Sequence, residues 1–370
     1  MNRINPTDQT NTSPYSIRSP RTVAPLRLGF VSLVDAVPLF VAQDRGLFSK
    51  HGLNVRLQRE VGWATIREKV IFGELEAAHA LCPLPLLASA GVDSVSIPCC
   101  SGMVISKGGN AIVLSQNLWK RGVREGESLR KDINNSRHFR KYILATVFQY
   151  STHAYLLRDW LRASGIDPER DVQIVTLPPS QMCRNLHAGT IDGFCAGEPW
   201  PSLAIGQDIG WSPANSMDIA PYHPEKVLMT REVFAEERRE ENVALIAALI
   251  EACHFCEQVE NRESMIRMML DRRRIKCDAS ILEKCLSRNY DYGMGRVEER
   301  PGFIDFGAVG STRTTNDQAQ WILDRANAAG ANIATADNDA LLERIYRTDL
   351  HDDAIKRLEG EKTLGSPLIR

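Results

Sequence analysis

Strand-like and helix-like segments alternate along most of this chain, and that alternation limits its fold more than any other feature. Residues 26–33 predict a strand and residues 35–52 a helix, and residues 54–61 and 63–75 repeat the pair. Such alternation predicts a mainly parallel β-sheet with helices on both faces. The sequence therefore indicates an α/β protein.

A second series of strands and helices follows a polar stretch over residues 121–141. It predicts a second α/β lobe beside the first. Residues 242–270 predict one long helix, and the tail from Arg273 onward reads mostly helical. The further segments are predicted as strands at 77–82, 94–99, 111–114, 142–148, 172–177 and 191–195, and as helices at 84–90, 152–164 and 180–188.

These segments divide the chain into an arm and two lobes. Residues 26–120 and 225–370 are assigned to lobe 1, which ends in a helical C-terminal tail, and residues 121–224 are assigned to lobe 2. Residues 1–25 are rich in Asn, Thr, Ser, Pro and Arg and cannot bury enough apolar area to offset the entropy of ordering them. They are predicted to form a flexible N-terminal arm.

Charge and composition argue against several classes of function. Lys and Arg total 45 against 46 for Asp and Glu, so the chain lacks the basic stripe of a nucleic-acid binder. No stretch approaches the ~18 consecutive apolar residues of a membrane helix. The nine cysteines lack the even spacing of a disulfide framework, and the N-terminal segment lacks the apolar core of an export signal. We therefore expect a cytoplasmic protein that binds no nucleic acid directly and does not insert into a membrane.

Polar side chains lie in the turns that follow predicted strands, where open parallel sheets bind their ligands. Asp35 follows the first strand and Trp63 the second. Gln149 and His153 follow the first strand of lobe 2, and Glu198 follows its last. Together they suit a small polar or anionic ligand. No acid–base pair, activated nucleophile or metal-ligand spacing accompanies them, so the sequence predicts no catalytic residue, cofactor or metal.

Residues 26–236 carry several short motifs in a fixed order. They are Gly46-Leu47-Phe48 with Gly52-Leu53, Gly62-Trp63-Ala64-Thr65-Ile66-Arg67-Glu68-Lys69, Ala77-Ala78-His79, Thr152-His153 with Leu157-Arg158-Asp159-Trp160-Leu161, Phe194-Cys195-Ala196-Gly197-Glu198-Pro199-Trp200 and His223-Pro224-Glu225-Lys226. In these motifs the chain resembles the nitrate- and bicarbonate-binding proteins of ABC transporters. The resemblance implies a two-lobed periplasmic-binding-protein type II-like α/β fold, with an oxyanion in the ligand cleft between the lobes.

The resemblance also implies a set of ligand-binding residues. Trp63, His153 and Lys226 match residues that hold nitrate in the family, and Asn110 stands where many members carry Gln. Lys226 would supply a positive charge, and the other three would supply N–H donors. Because nitrate only accepts hydrogen bonds, a pocket lined by donors suits it and one rich in carboxylates does not.

Three further residues are assigned to the surroundings of that pocket: Asp35, Gln149 and Glu198. Glu198 is expected to orient the donors rather than to contact the anion. Trp63 and Lys226 are expected to face a cleft, so their replacement should leave the melting temperature of the ligand-free protein nearly unchanged.

The family resemblance and the missing export signal together imply a NasS-type cytoplasmic sensor of nitrate or nitrite. Such a sensor is not an enzyme. It sequesters an ANTAR-type RNA-binding antiterminator and releases it on ligand binding, which regulates nitrate assimilation. Two alternatives stay open. One is the solute-binding component of a nitrate ABC transporter, and the other is a thiamine-pyrimidine-synthase-like enzyme, which is expected to carry a denser cysteine cluster than Cys99 and Cys100.

Overall fold

The computed structural model describes residues 25–136, 140–307, 312–334 and 337–363. All but the last residue of the predicted N-terminal arm lies outside these ranges. The strands are β1 (Leu26–Val31), β2 (Val55–Glu60), β3 (Ala77–Leu81), β4 (Cys99–Gly108), β5 (Asn110–Ser115), β6 (Tyr142–Thr146), β7 (Val172–Thr176), β8 (Gly193–Gly197), β9 (Gly210–Asn215), β10 (Pro224–Arg231), β11 (Asn289–Gly293), β12 (Arg296–Glu299) and β13 (Ile304–Asp305).

Helices connect and cover these strands. The α-helices are α1 (Val37–Asp44), α2 (Leu47–Lys50), α3 (Trp63–Ile71), α4 (Leu84–Ala90), α5 (Gln116–Lys120), α6 (Gly126–Ser136), α7 (Thr152–Ala163), α8 (Met182–His187), α9 (Trp200–Gly206), α10 (Ser216–Ile219), α11 (Glu232–Glu237), α12 (Arg239–Glu257), α13 (Arg262–Leu270), α14 (Ala279–Cys285), α15 (Asn316–Ala328), α16 (Asn338–Ile345) and α17 (Thr348–Thr363). Short 3-10 helices lie at Val34–Ala36, Pro179–Gln181, Val259–Asn261 and Asp271–Arg273.

Two β-sheets form the centres of the two lobes. The sheet of lobe 1 has the strand order β13-β4-β10-β3-β1-β2, and that of lobe 2 has the order β7-β6-β8-β5-β9. Strands β1, β2 and β3 are parallel, as are β6, β7 and β8, but β10 and β5 run antiparallel to their neighbours. The sheets are therefore mixed rather than mainly parallel as predicted, because β5 and β10 each enter their sheet from the other lobe.

The chain passes between the two main β-sheets twice, at adjacent places. The first crossing follows β4 at Gly108 and Gly109, whose φ angles of 64° and 80° favour glycine. A Cβ atom on Gly108 would lie 2.5 Å from the carbonyl oxygen of Phe303. The second crossing ends at His223, whose carbonyl oxygen accepts a hydrogen bond of 3.1 Å from the Gly108 N–H.

Because of the first crossing, strand β5 belongs to a different lobe from the one predicted. Residues 26–120 are predicted to belong to lobe 1, whereas β5 pairs with β8 and β9 in the sheet of lobe 2. A strand that follows a tight two-glycine turn is expected to be a hairpin partner of the strand before it. Here the left-handed glycines redirect the chain into the other lobe instead.

The predicted helix over residues 242–270 is interrupted. Helix α12 ends at Glu257, where Gln258 is extended, and the Asn261 side-chain amide donates a hydrogen bond of 2.9 Å to the carbonyl oxygen of Phe255. The 3-10 turn and α13 follow at an angle of 93° to α12. In the described ranges no single helix is long and apolar enough to cross a membrane, and only this bent pair has the length and composition when taken together.

The C-terminal tail contributes to the cores of the protein. Besides helices it contains the hairpin of β11 and β12, which the sequence does not predict. Side chains of the tail in the core with β1 and α12 are Leu282, Phe306 and Leu350, and those in the core with β3 and α4 are Ile322, Leu323 and Tyr346. The tail is therefore part of the folded unit.

Candidate functional site

A lysine held between two carboxylates lies where the lobes meet. Lys226 in β10 is fully buried, and its Nζ lies 2.7 Å from Oδ2 of Asp35 and 2.6 Å from Oε1 of Glu225. All three residues belong to lobe 1. The same ammonium lies 5.1 Å from the centre of the Trp63 ring, close enough for a cation–π contact.

Mutual attraction keeps these three groups charged. Burial lowers the pKa of Lys226, but Asp35 and Glu225 outweigh it and raise that pKa above its usual value. Burial likewise raises the pKa of both carboxyls, but Lys226 reverses the effect and leaves the Asp35 pKa lowered and the Glu225 pKa well below its usual range. The site therefore contains two negative charges and one positive charge at neutral pH.

Lobe 2 supplies hydrogen-bond donors to Glu225. The side-chain amide of Asn110 donates to Oε2 of Glu225 over 2.6 Å, and the hydroxyl of Thr152 donates to the same oxygen. Nε2 of His223 is 3.1 Å from Oε2, and Nε2 of His153 is 3.6 Å from Oε1. Glu225 therefore joins the two lobes at the site.

Several buried polar atoms around this centre make no hydrogen bond to a described residue. They include Nε1 of Trp63, both ring nitrogens of His153 and of His79, and Oδ1 of Asn110 and of Asp35. Burial lowers the pKa of His153 to about 4, so its ring is neutral at pH 7. Each buried group without a partner costs about 1–3 kcal/mol, which a ligand with matching atoms would recover.

Gly197 at the end of β8 borders the space between these atoms. A Cβ atom there would lie 3.3 Å from Oδ1 of Asn110, 3.6 Å from Nε2 of His153 and 3.8 Å from Oδ2 of Asp35. The space beside Gly197 is thus bounded by polar atoms of both lobes. We define the cleft cluster as Asp35, Trp63, Asn110, Thr152, His153, Gly197, Glu225 and Lys226.

The structure brings most of the residues predicted for the site into this cluster. Trp63, Asn110, His153, Lys226 and Asp35 meet there from distant parts of the chain. Gln149, in contrast, is exposed at the surface. It lies in the turn between β6 and α7, and the helix that follows carries its neighbours Thr152 and His153 inward.

Glu198 is buried next to the cluster but does not orient its donors as predicted. Its Oε2 accepts hydrogen bonds from the Ser202 N–H at 3.1 Å and the Cys285 thiol at 3.3 Å. Its carbonyl oxygen links the lobes by accepting from the Val34 N–H at 2.9 Å, whereas its own N–H donates within lobe 2 to the Gly109 carbonyl at 3.1 Å.

Glu225, Thr152 and helix α15 contribute to the site or its surroundings without a role predicted from the sequence. Glu225 and Thr152 are each adjacent in sequence to a predicted site residue, and this adjacency is the only sequence feature that points to them. Trp321 of α15 lies with its ring centre 5.8 Å from that of His223, and the α15 residue Arg325 pairs with Asp159 of α7 at 2.9 Å. No local pattern marks these contacts, because α15 follows α7 by more than 150 residues.

In the described part of the chain, no group of three or more His, Cys, Asp or Glu side chains is arranged to hold a metal ion.

The buried carboxyl of Glu198 should make stability depend on pH. Burial raises its pKa to about 7, so the folded protein keeps a proton that the unfolded chain releases at lower pH. Its contribution is fully present in acid and is lost as the pH rises through 7. We expect Glu198→Gln to reduce the loss of unfolding free energy between pH 5 and pH 8 by up to about 3 kcal/mol, measured by urea unfolding. The exposed control Glu283→Gln should lose as much unfolding free energy between pH 5 and pH 8 as the wild type does.

Known proteins share this fold and much of this sequence. Residues 19–270 match the NMT1-like family. The chain is 40% identical over 346 residues to a bicarbonate transport ATP-binding protein, CmpC of Synechocystis sp. PCC 6803, which covers 90% of this chain and 50% of CmpC. It is 30% identical over 348 residues to the nitrate/nitrite binding protein NrtA of Synechococcus elongatus, which covers 91% of this chain and 79% of NrtA. The chain thus spans about half the length of the ATP-binding relatives.

A crystal structure confirms the fold class. The periplasmic nitrate-binding protein NrtA from Synechocystis PCC 6803 superposes with a TM-score of 0.86 at 27% identity, covering 91% of this chain and 90% of that one. The predicted two-lobed periplasmic-binding-protein fold is therefore correct. The relatives that the chain covers most fully are binding proteins rather than enzymes, in agreement with the sequence analysis.

Proposed function

We propose that this chain, which belongs to the NMT1-like family, binds a small planar oxyanion in the cleft cluster. The chain resembles a nitrate/nitrite binding protein along most of its length. Nitrate, nitrite and bicarbonate are the candidates. The observation that carries this proposal is the space beside Gly197, where unpaired polar atoms of both lobes converge. An oxyanion there would accept hydrogen bonds from the indole of Trp63 and the imidazole of His153.

The role of a solute-binding component in an import system has the better support. The relatives reported above are named as transport ATP-binding or nitrate-binding proteins. A binding protein that closes on its ligand presents a different surface to a permease than the open form does. We therefore propose that this chain delivers its oxyanion to a transport system.

The cytoplasmic nitrate or nitrite sensor is the second candidate. One observation favours it: all nine cysteines are free, and eight of them are buried. Free thiols are typical of proteins from a reducing compartment. In that case an ANTAR-type antiterminator would bind the ligand-free form, and the ligand would release it with a coupling of ~1–3 kcal/mol. Co-purification with the antiterminator, with and without nitrate or nitrite, supports the sensor only if the anion dissociates the complex.

Gly197→Ala tests the location of the ligand. The added methyl group would occupy the space beside Gly197, at 3.3–3.8 Å from its nearest neighbours. The ligand-free protein should accommodate this methyl group with small adjustments. We expect calorimetric Kd values for nitrate and bicarbonate to rise at least tenfold, while the melting temperature changes by no more than a few degrees. Wild-type protein should bind one of these anions with a Kd near ~1 μM, or about −8 kcal/mol.

Gly360→Ala is the matched control, because its added methyl group would meet open space. It should bind as the wild type does. Wild-type affinity in Gly197→Ala would contradict the proposed ligand position. If the wild type binds neither nitrate, nitrite nor bicarbonate at millimolar concentration, the proposed function itself is wrong.

A further inference from the structure

The cleft cluster has more negative than positive charge before any anion enters. Asp35 and Glu225 share a single ammonium, that of Lys226, and all three side chains are almost completely buried. With the His153 ring neutral, one negative charge is left over among these groups. A bound anion would add a second one in a site where water screens repulsion poorly. The site therefore needs one further hydrogen or positive charge when it accepts an anion.

Small planar oxyanions differ in whether they carry that hydrogen. Nitrate and nitrite only accept hydrogen bonds, whereas the O–H of bicarbonate can donate one to a carboxylate. A pocket rich in carboxylates does not suit nitrate, and the structure places Asp35 and Glu225 in the cleft cluster. Both kinds of anion fit only if a hydrogen lies between the ligand and these carboxylates, or on a neighbouring base.

We propose that the cleft binds its oxyanion together with one proton. The proposal rests on the oxyanion-binding function proposed above. Bicarbonate brings the hydrogen as its own O–H. Nitrate or nitrite binds with a proton from a buffer acid. The bond that holds this proton in the buffer acid breaks and leaves the conjugate base in solution, and an N–H bond forms at a ring nitrogen of His153, which makes the ring a cation beside the anion.

His153 is the base best placed to take this proton. Its Nε2 is the ring nitrogen that borders the space beside Gly197, at 3.6 Å from the Cβ position there, and neither of its ring nitrogens makes a hydrogen bond to a described residue. The charged and titratable groups that face it are Asp35, His223, Glu225 and Lys226.

None of the other titratable groups near the cluster is as well placed. Nδ1 of His223 faces the Ala220 carbonyl oxygen at 2.9 Å, and its Nε2 lies between Glu225 and Asn110. The ring nitrogens of His79 also make no hydrogen bond to a described residue, but this ring lies against Asp35, with Nε2 3.3 Å from Oδ1, and is not among the three nearest neighbours of the Gly197 Cβ position. Two thiols lie near Glu225, and burial raises the pKa of each well above its usual range, so they stay neutral: Cys82 and Cys195.

Proton uptake makes nitrate affinity depend on pH. Burial holds the pKa of His153 at about 4 in the free protein, and an anion beside the ring raises it. Between the His153 pKa of the free protein and that of the complex, the protein takes up one proton for each nitrate bound. The apparent Kd therefore rises by up to tenfold for each unit by which the pH increases. Nitrate itself does not titrate in this range, so the pH dependence belongs to the protein.

Calorimetry in buffers of different ionisation enthalpy tests the proposal directly. The full chain is titrated with sodium nitrate between pH 5 and 7, and with bicarbonate in a sealed cell at pH 7. We expect nitrate to bind with uptake of up to one proton and a Kd that rises about tenfold per pH unit. Bicarbonate should bind with almost no proton exchange. Nitrate binding without proton uptake and with a constant Kd would overturn the inference while leaving the proposed function intact.

Two variants locate the proton. His153→Gln keeps an N–H donor but cannot take up a proton, so nitrate should bind at least tenfold more weakly at pH 5 and without proton uptake. The exposed His187→Gln in the same lobe is the control and should behave as the wild type. Undiminished proton uptake in His153→Gln would overturn the assignment.

Glu225→Gln provides the independent measurement if His153→Gln does not fold. It removes the excess negative charge, so nitrate should bind without proton uptake and should bind at pH 7 at least as tightly as to the wild type. Proton uptake that persists in this variant would show that the excess charge of the cluster is not its cause, and would overturn the inference. Failure of every anion to bind the wild type would instead overturn the proposed function.

Discussion

Replacement of Lys226 by methionine should lower the free energy of unfolding by about 3–5 kcal/mol at pH 7. The ammonium is fully buried and lies within 2.7 Å of one oxygen each of Asp35 and Glu225. Methionine fills a similar volume but leaves two buried carboxylates without their counter-charge. Because all three residues belong to lobe 1, opening of the lobes would not separate the ammonium from its two carboxylates. Urea unfolding followed by circular dichroism measures it.

This expectation replaces the one drawn from the sequence, that Lys226 faces a cleft and can be removed without loss of stability. The matched control is Lys284→Met. Lys284 pairs with Asp291 at 3.1 Å, but its side chain is 47% exposed, so its loss should cost less than about 1 kcal/mol. If Lys226→Met unfolds within 1 kcal/mol of the wild type, the carboxylates are not held as charged partners and the described cluster is wrong.

Leu350→Ala should lower the free energy of unfolding by about 2–5 kcal/mol. Leu350 in α17 is fully buried in the core of lobe 1. Together with Ile246 it closes over Gly102, where an added Cβ atom would lie 3.1 Å from the Cβ of Leu350. Truncation leaves a cavity that β4 and α12 cannot close without moving the backbone.

The result bears on the part of the chain beyond residue 270, where the match to the NMT1-like family ends. A loss of this size would show that α17 belongs to the folding unit of lobe 1. Val297→Ala, also in the tail but 58% exposed, should change stability by less than about 0.5 kcal/mol. Equal and small effects of both variants would mean that α17 packs only loosely.

Local patterns in the sequence predicted individual elements well. Helix α4 has the predicted bounds, and α7 begins at the predicted Thr152, because capping and periodicity depend on neighbours along the chain. The membership of β5 could not be predicted this way. It depends on two glycines that direct the chain into the other lobe, and the same residues would also fit a tight hairpin.

The candidate site was predictable to a similar extent. Trp63, His153 and Lys226 were identified through family motifs, and the structure brings them together. The position of Glu225 beside Lys226 gives no indication that its carboxylate accepts hydrogen bonds from Asn110 and Thr152 of the other lobe. That role depends on contacts between residues that are far apart in the chain. In addition, nitrate requires hydrogen-bond donors, so the sequence-based argument for a nitrate pocket disfavours a carboxylate at the site.

The adjacent crossings between the lobes have a consequence for how such proteins can diversify. The chain leaves lobe 1 at Gly108 and returns at His223, and a single hydrogen bond of 3.1 Å joins these two points. Residues 109–223, which form the sheet of lobe 2, are therefore an insertion within the sequence of lobe 1, and the two ends of this insertion lie side by side. Recombination could exchange residues 109–223 between relatives without breaking the order of the strands in lobe 1. Such an exchange would replace Asn110, Thr152 and His153 while Asp35, Glu225 and Lys226 stay in place, so that selectivity could change independently of the charges.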